Sequence, residues 1–289
     1  MLVRTRAAAM FVVICILGGA SGYGGEGPIT IGVVIDGSNQ VERAPLEAYL
    51  TKAMGRPVIV ASPGSYGETV AALADGSYDF ACLGAFVYIR AHAEYGVIPL
   101  VQRKTDLHYQ SVFITRTGSS IYSLSDLKGR RFAFGDIDST SGHLQPYVEL
   151  KRAGINPETD LKYRYTGSHP ATAALVASGA VDAGAIDKTV FDFLIRNGQL
   201  DRKSVRVFYT SEPYIDYVWV ARQGVLEAER EKFTRAFLSL KEGKDDRVLR
   251  ILRGHKFVVA NDEEYANTRE LERELGTGSG VRVRSAKNR

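Results

Sequence analysis

The sequence predicts an α/β protein built from two units, each a mainly parallel sheet flanked by helices. Short runs of β-branched residues alternate with amphipathic stretches of helical length along most of the chain. This alternation favours parallel strands connected by helices that cover both faces of a sheet. The chain has 289 residues, which suits two such units better than one. Its 45% hydrophobic and 24% charged residues are ordinary for a globular protein and exclude a disordered, collagen-like or disulfide-stapled chain.

The first part of the chain alternates strand and helix in regular order. Its β-branched runs predict strands at 29–36, 57–61, 78–83, 97–102 and 109–116. Between the first four of these, apolar residues recur at helical spacing and predict helices at 42–54, 67–75 and 86–94.

The second part continues the alternation and then changes to helices alone. Strands are predicted at 131–135, 161–165, 182–186, 205–209 and 217–221, with helices at 144–153, 170–178 and 188–197. After the last strand the pattern predicts only helices, at 226–240, 247–252 and 262–275. Neither a repeat of fixed period nor a long low-complexity linker divides the chain.

The N-terminus has the order of a secretory signal: basic residues, an apolar run and then small residues. Arg4 and Arg6 precede the apolar run 7–17, and the small residues 18–22 follow it. The run is too short to span a bilayer comfortably. We therefore expect residues 1–22 to be a cleaved signal peptide and the mature protein to be periplasmic. The residues before Cys15 do not fit a lipoprotein-processing site, and Cys82, the one cysteine left after cleavage, is predicted to be a small buried residue.

The excess of basic residues lies at the two ends of the chain. The formal net charge is +4, from 37 basic and 33 acidic residues. Two arginines near the start and four basic residues in the tail 276–289 carry six positive charges, so the remaining body has a net charge of −2. No basic stripe interleaved with aromatic residues runs through this body, which argues against nucleic-acid binding. The tail is predicted to be a flexible extension, with a contact to acidic headgroups or a partner as the alternative.

The most informative loop lies between a predicted strand and a predicted helix, at residues 135–143. Loops that follow strands are where open parallel sheets bind their ligands. Ser139, Thr140 and Ser141 place three successive hydroxyl groups there, beside the free N–H groups at the start of a helix. Hydroxyl and amide donors, together with the positive helix end, favour an anion without any lysine. The alternative is plain helix capping, which requires a single serine or threonine.

A second strand-to-helix junction carries similar chemistry. Ser168 and His169 precede a proline that fits the first turn of a helix. A neutral His169 at a positive helix end can donate a ring hydrogen to an oxyanion. Tyr66 lies at the start of a predicted helix, while Tyr109 and Asp216 lie at the mouths of predicted strands. Taken alone, each of these residues also fits an ordinary structural role.

Together these segments resemble the extracytoplasmic substrate-binding proteins of phosphate, phosphite and phosphonate ABC transporters. The resemblance covers residues from about 29 to 257 and is carried by the motif Gly-Asp-Ile-Asp-Ser-Thr-Ser-Gly at 135–142. The segment Ser-Leu-Ser-Asp-Leu-Lys-Gly at 123–129 supports it. The resemblance implies no cofactor and no metal, and it implies that the ligand is bound by Tyr66, Tyr109, Ser139, Thr140, Ser141, His169 and Asp216.

The resemblance also implies the two-lobed architecture of periplasmic binding proteins, often called a Venus flytrap. One lobe would combine residues 28–115 and 216–260, the other would hold 116–215, and two crossing strands would join them. Residues 261–275 would form a C-terminal helix. Ligand contacts from both lobes favour the closed state, which a transporter can distinguish from the open state by its shape.

The implied ligand is a small phosphorus oxyanion, which a monomeric protein would deliver to an ABC permease in the inner membrane. Some phosphonate-binding relatives hold the ligand's amino group with an acid, at a position where this chain has Thr189. Phosphate, phosphite or a simple alkylphosphonate is therefore favoured over an aminoalkylphosphonate.

Two other functions are compatible with the residues. A binding protein of this fold can report to a membrane sensor kinase instead of a permease. Ser141, His169 and Asp216 also have the residue types of a serine hydrolase triad. The chain has no Gly-x-Ser-x-Gly, His-Glu-x-x-His or Gly-x-x-x-x-Gly-Lys motif, which places catalysis below binding.

Overall fold

The computed structural model describes residues 27–33 and 43–276 and confirms the two-lobed α/β architecture. The predicted signal peptide and the predicted tail beyond Gly276 lie outside the described residues. Within those residues, eleven strands form two sheets, one in each lobe. The strands are β1 (Ile29–Val33), β2 (Val58–Ala61), β3 (Phe80–Leu83), β4 (Ile98–Arg103), β5 (Ser111–Arg116), β6 (Arg131–Phe134), β7 (Lys162–Tyr165), β8 (Ala183–Asp187), β9 (Val205–Thr210), β10 (Val218–Ala221) and β11 (Phe257–Val259).

Helices cover both faces of each sheet, as the alternating sequence pattern predicts. In the described part of the chain the α-helices are α1 (Ala44–Met54), α2 (Tyr66–Asp75), α3 (Ala85–Tyr95), α4 (Gln145–Arg152), α5 (Pro157–Asp160), α6 (His169–Ser178), α7 (Lys188–Arg196), α8 (Glu227–Leu238), α9 (Asp246–Ile251) and α10 (Ala266–Leu275). The short helix α5 and the strand β11 have no counterpart in the sequence prediction. No helix among the described residues is both long and apolar enough to cross a bilayer.

The sheet of the first lobe has six strands in the order β11-β4-β10-β3-β1-β2. Strand β1 pairs in parallel with β2 and β3. Strand β10 is antiparallel to β3 and β4, and β11 is antiparallel to β4. The two halves of this sheet therefore differ in strand direction.

The sheet of the second lobe has five strands in the order β7-β6-β8-β5-β9. Strand β6 is parallel to β7 and β8, whereas β5 is antiparallel to β8 and β9. Both sheets are thus mixed, and the expectation of mainly parallel sheets holds only for the βαβ half of each. Strands β5 and β10 enter their sheets directly from the other lobe, so no crossover helix forces them into the parallel direction.

The chain crosses between the lobes twice, once before β5 and once before β10. The first crossing contains a 3₁₀ turn at Lys104–His108, and an antiparallel bridge joins Tyr109 to Tyr214 on the second. Strand β5 belongs to the second lobe, since Ser111 pairs with Asp187 in the register of β5 and β8. The expected lobe boundary after residue 115 is therefore wrong and falls near residue 110. The β-branched and apolar residues of 109–116 predict a strand, but they do not indicate which of the two sheets the strand joins.

Three apolar clusters hold the layers together. One lies between the first sheet and helices α1, α8 and α9, and another lies between the second sheet and helices α6 and α7. The third cluster runs across the lobes, because it contains residues of α2, α3 and α10 together with residues of α4. The lobes are therefore in apolar contact through this cluster.

Burial of the phenyl ring of Phe233 on α8 is expected to contribute strongly to the free energy of unfolding through the core of the first lobe. Its side chain is fully buried and stacks on Phe80 with 4.2 Å between ring centroids. Phe233→Ala should lower the free energy of unfolding by about 3 to 5 kcal/mol, measured by urea denaturation. Leu238→Ala on the same helix is the control, because Leu238 is 43% exposed and should cost much less.

Candidate functional site

The loop after β6 carries the three successive hydroxyl groups, and the helix that follows begins earlier than predicted. A π-helical turn spans Thr140–Leu144 and continues into α4, whereas the sequence pattern placed the helix start near residue 144. Ser139 is the N-cap residue, since its Oγ accepts a hydrogen bond from the Gly142 N–H at 2.9 Å. The capping alternative is therefore correct for Ser139. It does not account for the next two hydroxyl groups.

The Thr140 hydroxyl joins the two lobes. It accepts a hydrogen bond from the Phe86 N–H at 3.1 Å, and Phe86 lies in the first turn of α3 in the first lobe. It donates a hydrogen bond to Oδ1 of Asp216 at 2.8 Å. Thr140 is only 2% exposed, so these bonds form in an environment of low dielectric constant where they are strengthened.

Asp216 lies at the end of the second crossing and faces the hydroxyl loop. Its Oδ1 accepts hydrogen bonds from the N–H groups of Ala85 and Tyr217, both at 2.9 Å, in addition to the one from Thr140. Its Oδ2 accepts no hydrogen bond from the described residues. Burial raises the pKa of Asp216 to about 6, against the opposing effect of the three donors.

Ser141 and His169 form a second polar contact, within the second lobe. Ser141 Oγ lies 3.3 Å from Nε2 of His169. The other ring nitrogen, Nδ1, accepts a hydrogen bond from the backbone N–H of Asp187 at 3.3 Å. Since Nδ1 is an acceptor, Nε2 carries the ring hydrogen of a neutral His169 and is a donor toward Ser141 Oγ.

This tautomer does not support the hydrolase alternative. A serine hydrolase requires Nε2 to accept the proton of the nucleophilic hydroxyl and an acid to orient the ring through Nδ1. Here Nδ1 is bound to a backbone amide, and Asp216 is bound to Thr140 and two amides rather than to His169. The three residue types are present, but the triad is not assembled.

The two tyrosines of the expected site differ in their surroundings. A Cβ atom placed on Gly84 would lie 3.3 Å from Thr140 Oγ1, 3.5 Å from Asp216 Oδ1 and 3.9 Å from Tyr66 Oη, so Tyr66 reaches the same point between the lobes. Tyr109 is buried, and its hydroxyl donates to the carboxylate of Asp187. Asp187 thus connects the phenol of Tyr109 with the imidazole of His169.

His143 is a structural residue. Its Nδ1 donates to the Ile137 carbonyl at 2.6 Å, and its Nε2 lies 2.9 Å from the Tyr165 hydroxyl. Complete burial lowers the pKa of His143 to about 4, so the ring is neutral at physiological pH. Its role is to brace the loop that holds the hydroxyl groups.

The starts of three helices meet at the site. Helix α3, the helix that begins at Thr140 and helix α6 all start at residues that contact this region, namely Ala85, Thr140 and His169. Each helix start carries a partial positive charge and free N–H groups. Hydroxyl and amide donors therefore surround the carboxylate of Asp216, and the second buried carboxylate, Asp187, is bonded to Tyr109.

Sequence reasoning missed two parts of this region. The N–H groups of Ala85 and Phe86 come from a strand-Gly-helix junction at Gly84, which matches the junction at Gly135 in form. That junction has no polar side chain, so its sequence gives no sign of a binding site. Asp187 was also missed, although an acid directly after a buried strand is a recognisable signal for a residue at the ligand edge of a sheet.

Comparison with known proteins identifies the family. The model of the periplasmic substrate-binding proteins of phosphonate ABC transporters matches residues 32–265. The chain belongs to this family. The resemblance inferred from the hydroxyl-loop motif is therefore confirmed, and the family is periplasmic.

Relatives in this family come from several bacteria. A probable phosphite-binding protein, PhnD1 of Prochlorococcus marinus, is 33% identical over 192 residues, which are 62% of this chain and 65% of that protein. The phosphate-import protein PhnD of Mycolicibacterium smegmatis is 28% identical over 195 residues, 63% of this chain and 61% of that protein. The aligned stretch thus spans less than two thirds of either relative.

A solved structure of PhnD1 from Prochlorococcus marinus in complex with methylphosphonate has the same fold. Its TM-score is 0.80 at 27% identity, and the alignment covers 86% of this chain and 98% of that one. The matched family and the two relatives named above belong to transporters, which does not favour the sensor-kinase alternative.

The raised pKa of Asp216 predicts a specific pH dependence of stability. The Asp216 carboxyl has a pKa of about 6 in the folded protein and an ordinary pKa of 3.8 when unfolded, so it stabilises the fold below about pH 4 and loses that contribution as the pH rises through 6. Asp216→Asn keeps an acceptor at Oδ1 and cannot ionise. Its free energy of unfolding should therefore rise relative to wild type by about 1 to 3 kcal/mol between pH 4 and pH 7.

Urea denaturation of both proteins at pH 4, 5, 6 and 7 measures this difference. If the two proteins differ in free energy of unfolding by the same amount at every pH, the raised pKa of the buried Asp216 carboxyl is contradicted.

Proposed function

We propose that this chain captures a small phosphorus oxyanion between its lobes and delivers it to an ABC permease in the inner membrane. The observation that carries the proposal is the hydroxyl loop, whose Thr140 is bonded both to the first turn of α3 and to Asp216 across the cleft. The proposed ligand-binding residues are Tyr66, Tyr109, Ser139, Thr140, Ser141, His169 and Asp216. The protein acts as an exported monomer, with residues 1–22 as its cleaved signal.

The donors of the site suit an anion with several oxygen atoms. Ser141 Oγ and His169 Nε2 lie 3.3 Å apart, so one oxyanion bound beside them can accept from both. The amides at the start of α3 hold Asp216 and Thr140 in place, so the first lobe contacts the ligand through Asp216 and Tyr66. Because the ligand then bonds to both lobes, it favours the closed arrangement, and closure is what a permease recognises.

Asp216 supplies selectivity among oxyanions. Its Oδ2 accepts no hydrogen bond from the described residues and is available to a ligand hydroxyl. Phosphate, phosphite and phosphonates carry an O–H at neutral pH when partly protonated, whereas sulfate does not. A carboxylate at this position therefore favours a protonated phosphorus oxyanion and rejects sulfate through charge repulsion and an unsatisfied acceptor.

The ligand is small and has no amino group. Thr189 replaces the acid that would hold an ammonium group, and its hydroxyl donates to Asp187 at 2.8 Å. The carboxylate of Asp187 is engaged by Tyr109 and by the N–H groups of Thr189 and Val190. The names of the relatives support this ligand class, since they specify phosphite, phosphate and methylphosphonate.

Calorimetry with four ligands tests the proposal. Phosphate, phosphite and methylphosphonate are compared with sulfate at pH 7, and at least one phosphorus oxyanion should bind much more tightly than sulfate. Asp216→Asn should reduce the difference in affinity between the phosphorus oxyanion and sulfate, because it removes the repulsion between the carboxylate and sulfate. Sulfate that binds wild type as tightly as the best phosphorus ligand would dismiss the role of Asp216.

The hydroxyl groups can be tested one at a time. Ser141→Ala and Thr140→Val should each weaken binding of the best ligand by about 1.5 to 3 kcal/mol, because Ser141→Ala removes a hydrogen bond to the anion and Thr140→Val removes the one donated to Asp216 across the lobes. Ser178→Ala is the matched control, since Ser178 is exposed on α6 and bonds only to the Leu175 carbonyl. Unchanged calorimetric affinity in both site variants would place the ligand elsewhere.

A further inference from the structure

The C-terminal helix α10 is rooted in the first lobe. The segment that leads into it is fixed by Asp262, which accepts a hydrogen bond from Tyr88 Oη at 2.6 Å. Tyr265 donates to the side chain of Gln102 at 3.0 Å and packs edge-on against the Tyr88 ring. Tyr88 lies on α3 and Gln102 on β4, so both anchors belong to the first lobe.

The far end of α10 contacts the second lobe instead. Glu274 accepts hydrogen bonds from the guanidinium of Arg152 at 2.6 and 3.0 Å, and its backbone carbonyl accepts one from Lys151 Nζ. Arg152 and Lys151 lie in the last turn of α4. Leu275 belongs to the apolar cluster that also contains Leu150 of α4. A single helix therefore contacts both lobes outside the polar site.

A second ionic contact lies between this helix and the hydroxyl loop. Arg90 on α3 donates to Glu272 of α10 at 2.6 Å. Its guanidinium also lies 3.6 Å from the carboxylate of Asp138, in the loop that carries the hydroxyl groups. The same group stacks on the Phe86 ring at 3.8 Å. Arg90 therefore links α10 to the loop that carries the hydroxyl groups.

Geometry makes the contact at Glu274 sensitive to lobe motion. Helix α10 has ten residues, so its end lies about 15 Å from its root at a rise of about 1.5 Å per residue. A lobe rotation that moves α4 by about 2 Å or more relative to that end would separate Arg152 from Glu274, whose contacts are 2.6 and 3.0 Å long. Such a displacement exceeds the reach of an ion pair, so the pair forms only when the lobes are close to the arrangement seen here.

We propose that Glu274 and Arg152 are positioning residues for ligand capture: their ion pair is a clasp outside the cleft that favours closure and so raises ligand affinity. A contact that forms only in the closed, binding-competent state raises the population of that state. The apparent affinity for the ligand rises in the same proportion. For its affinity measurement the inference rests on the proposed function. Neither residue contacts any of the proposed ligand-binding residues.

Charge reversal separates this role from a purely structural one. Glu274→Arg and Arg152→Glu should each raise the dissociation constant of phosphate, phosphite or methylphosphonate about three- to tenfold, measured by calorimetry on the mature chain. The double variant restores an ion pair and should return to within about twofold of wild type. Glu263→Arg and Arg164→Glu are the controls, since both residues are exposed and form no ion pair among the described residues.

Two results would overturn the clasp. One is a lower melting temperature of the single variants with unchanged affinity, because a contact present in both open and closed states stabilises the fold without favouring closure. The other is a double variant that fails to recover affinity.

A measurement without ligand keeps the clasp distinct from the proposed function. If none of the three oxyanions binds wild type, the proposed function fails. Small-angle X-ray scattering of the ligand-free proteins then decides on the clasp. A larger radius of gyration in each single variant, reversed in the double variant, supports it, and equal radii in all four proteins overturn it.

Discussion

The closed arrangement of this protein depends on a hydroxyl group that bonds to both lobes. Thr140 lies on the second lobe, yet its partners are a backbone amide of α3 and the carboxylate of Asp216. Because the group is buried, any separation of the lobes that fails to admit water leaves a donor and an acceptor unsatisfied. The hydrogen bonds are directional, so they set the relative position of the lobes as well as their separation.

The charge distribution around this contact explains how an anion site can contain an acid. Helix starts, hydroxyl groups and the Nε2–H of His169 supply donors from several directions, and Asp216 is the acceptor among them. Burial makes its ionisation unfavourable, which three hydrogen bonds to Oδ1 only partly offset. A site of this kind distinguishes ligands by their protons as well as by their charge. Helix α10 is proposed to favour the closed arrangement of the lobes as well, since it contacts both lobes and none of the proposed ligand-binding residues.

Much of the fold and of the candidate site could be predicted. The hydroxyl motif lies on a strand-to-helix loop as expected, and Tyr66, Thr140 and Asp216 do meet around Gly84. Strand β5 was assigned to the wrong lobe because its apolar pattern is equally suitable for either sheet, and only its pairing with β8 and β9 decides. The amides of Ala85 and Phe86 could not be found from side-chain chemistry, since backbone donors leave no residue signature.

The sequence by itself determined the order of strands and helices, the hydroxyl motif and the family, because these depend on patterns within a few neighbouring residues. Only the tertiary structure decided which hydroxyl caps a helix, which joins the lobes and which ring nitrogen of His169 faces Ser141. Those roles depend on partners far apart in the chain: Thr140 is 54 residues from Phe86 and 76 from Asp216. Such contacts follow from how two lobes pack and not from local preference, so no local pattern encodes them.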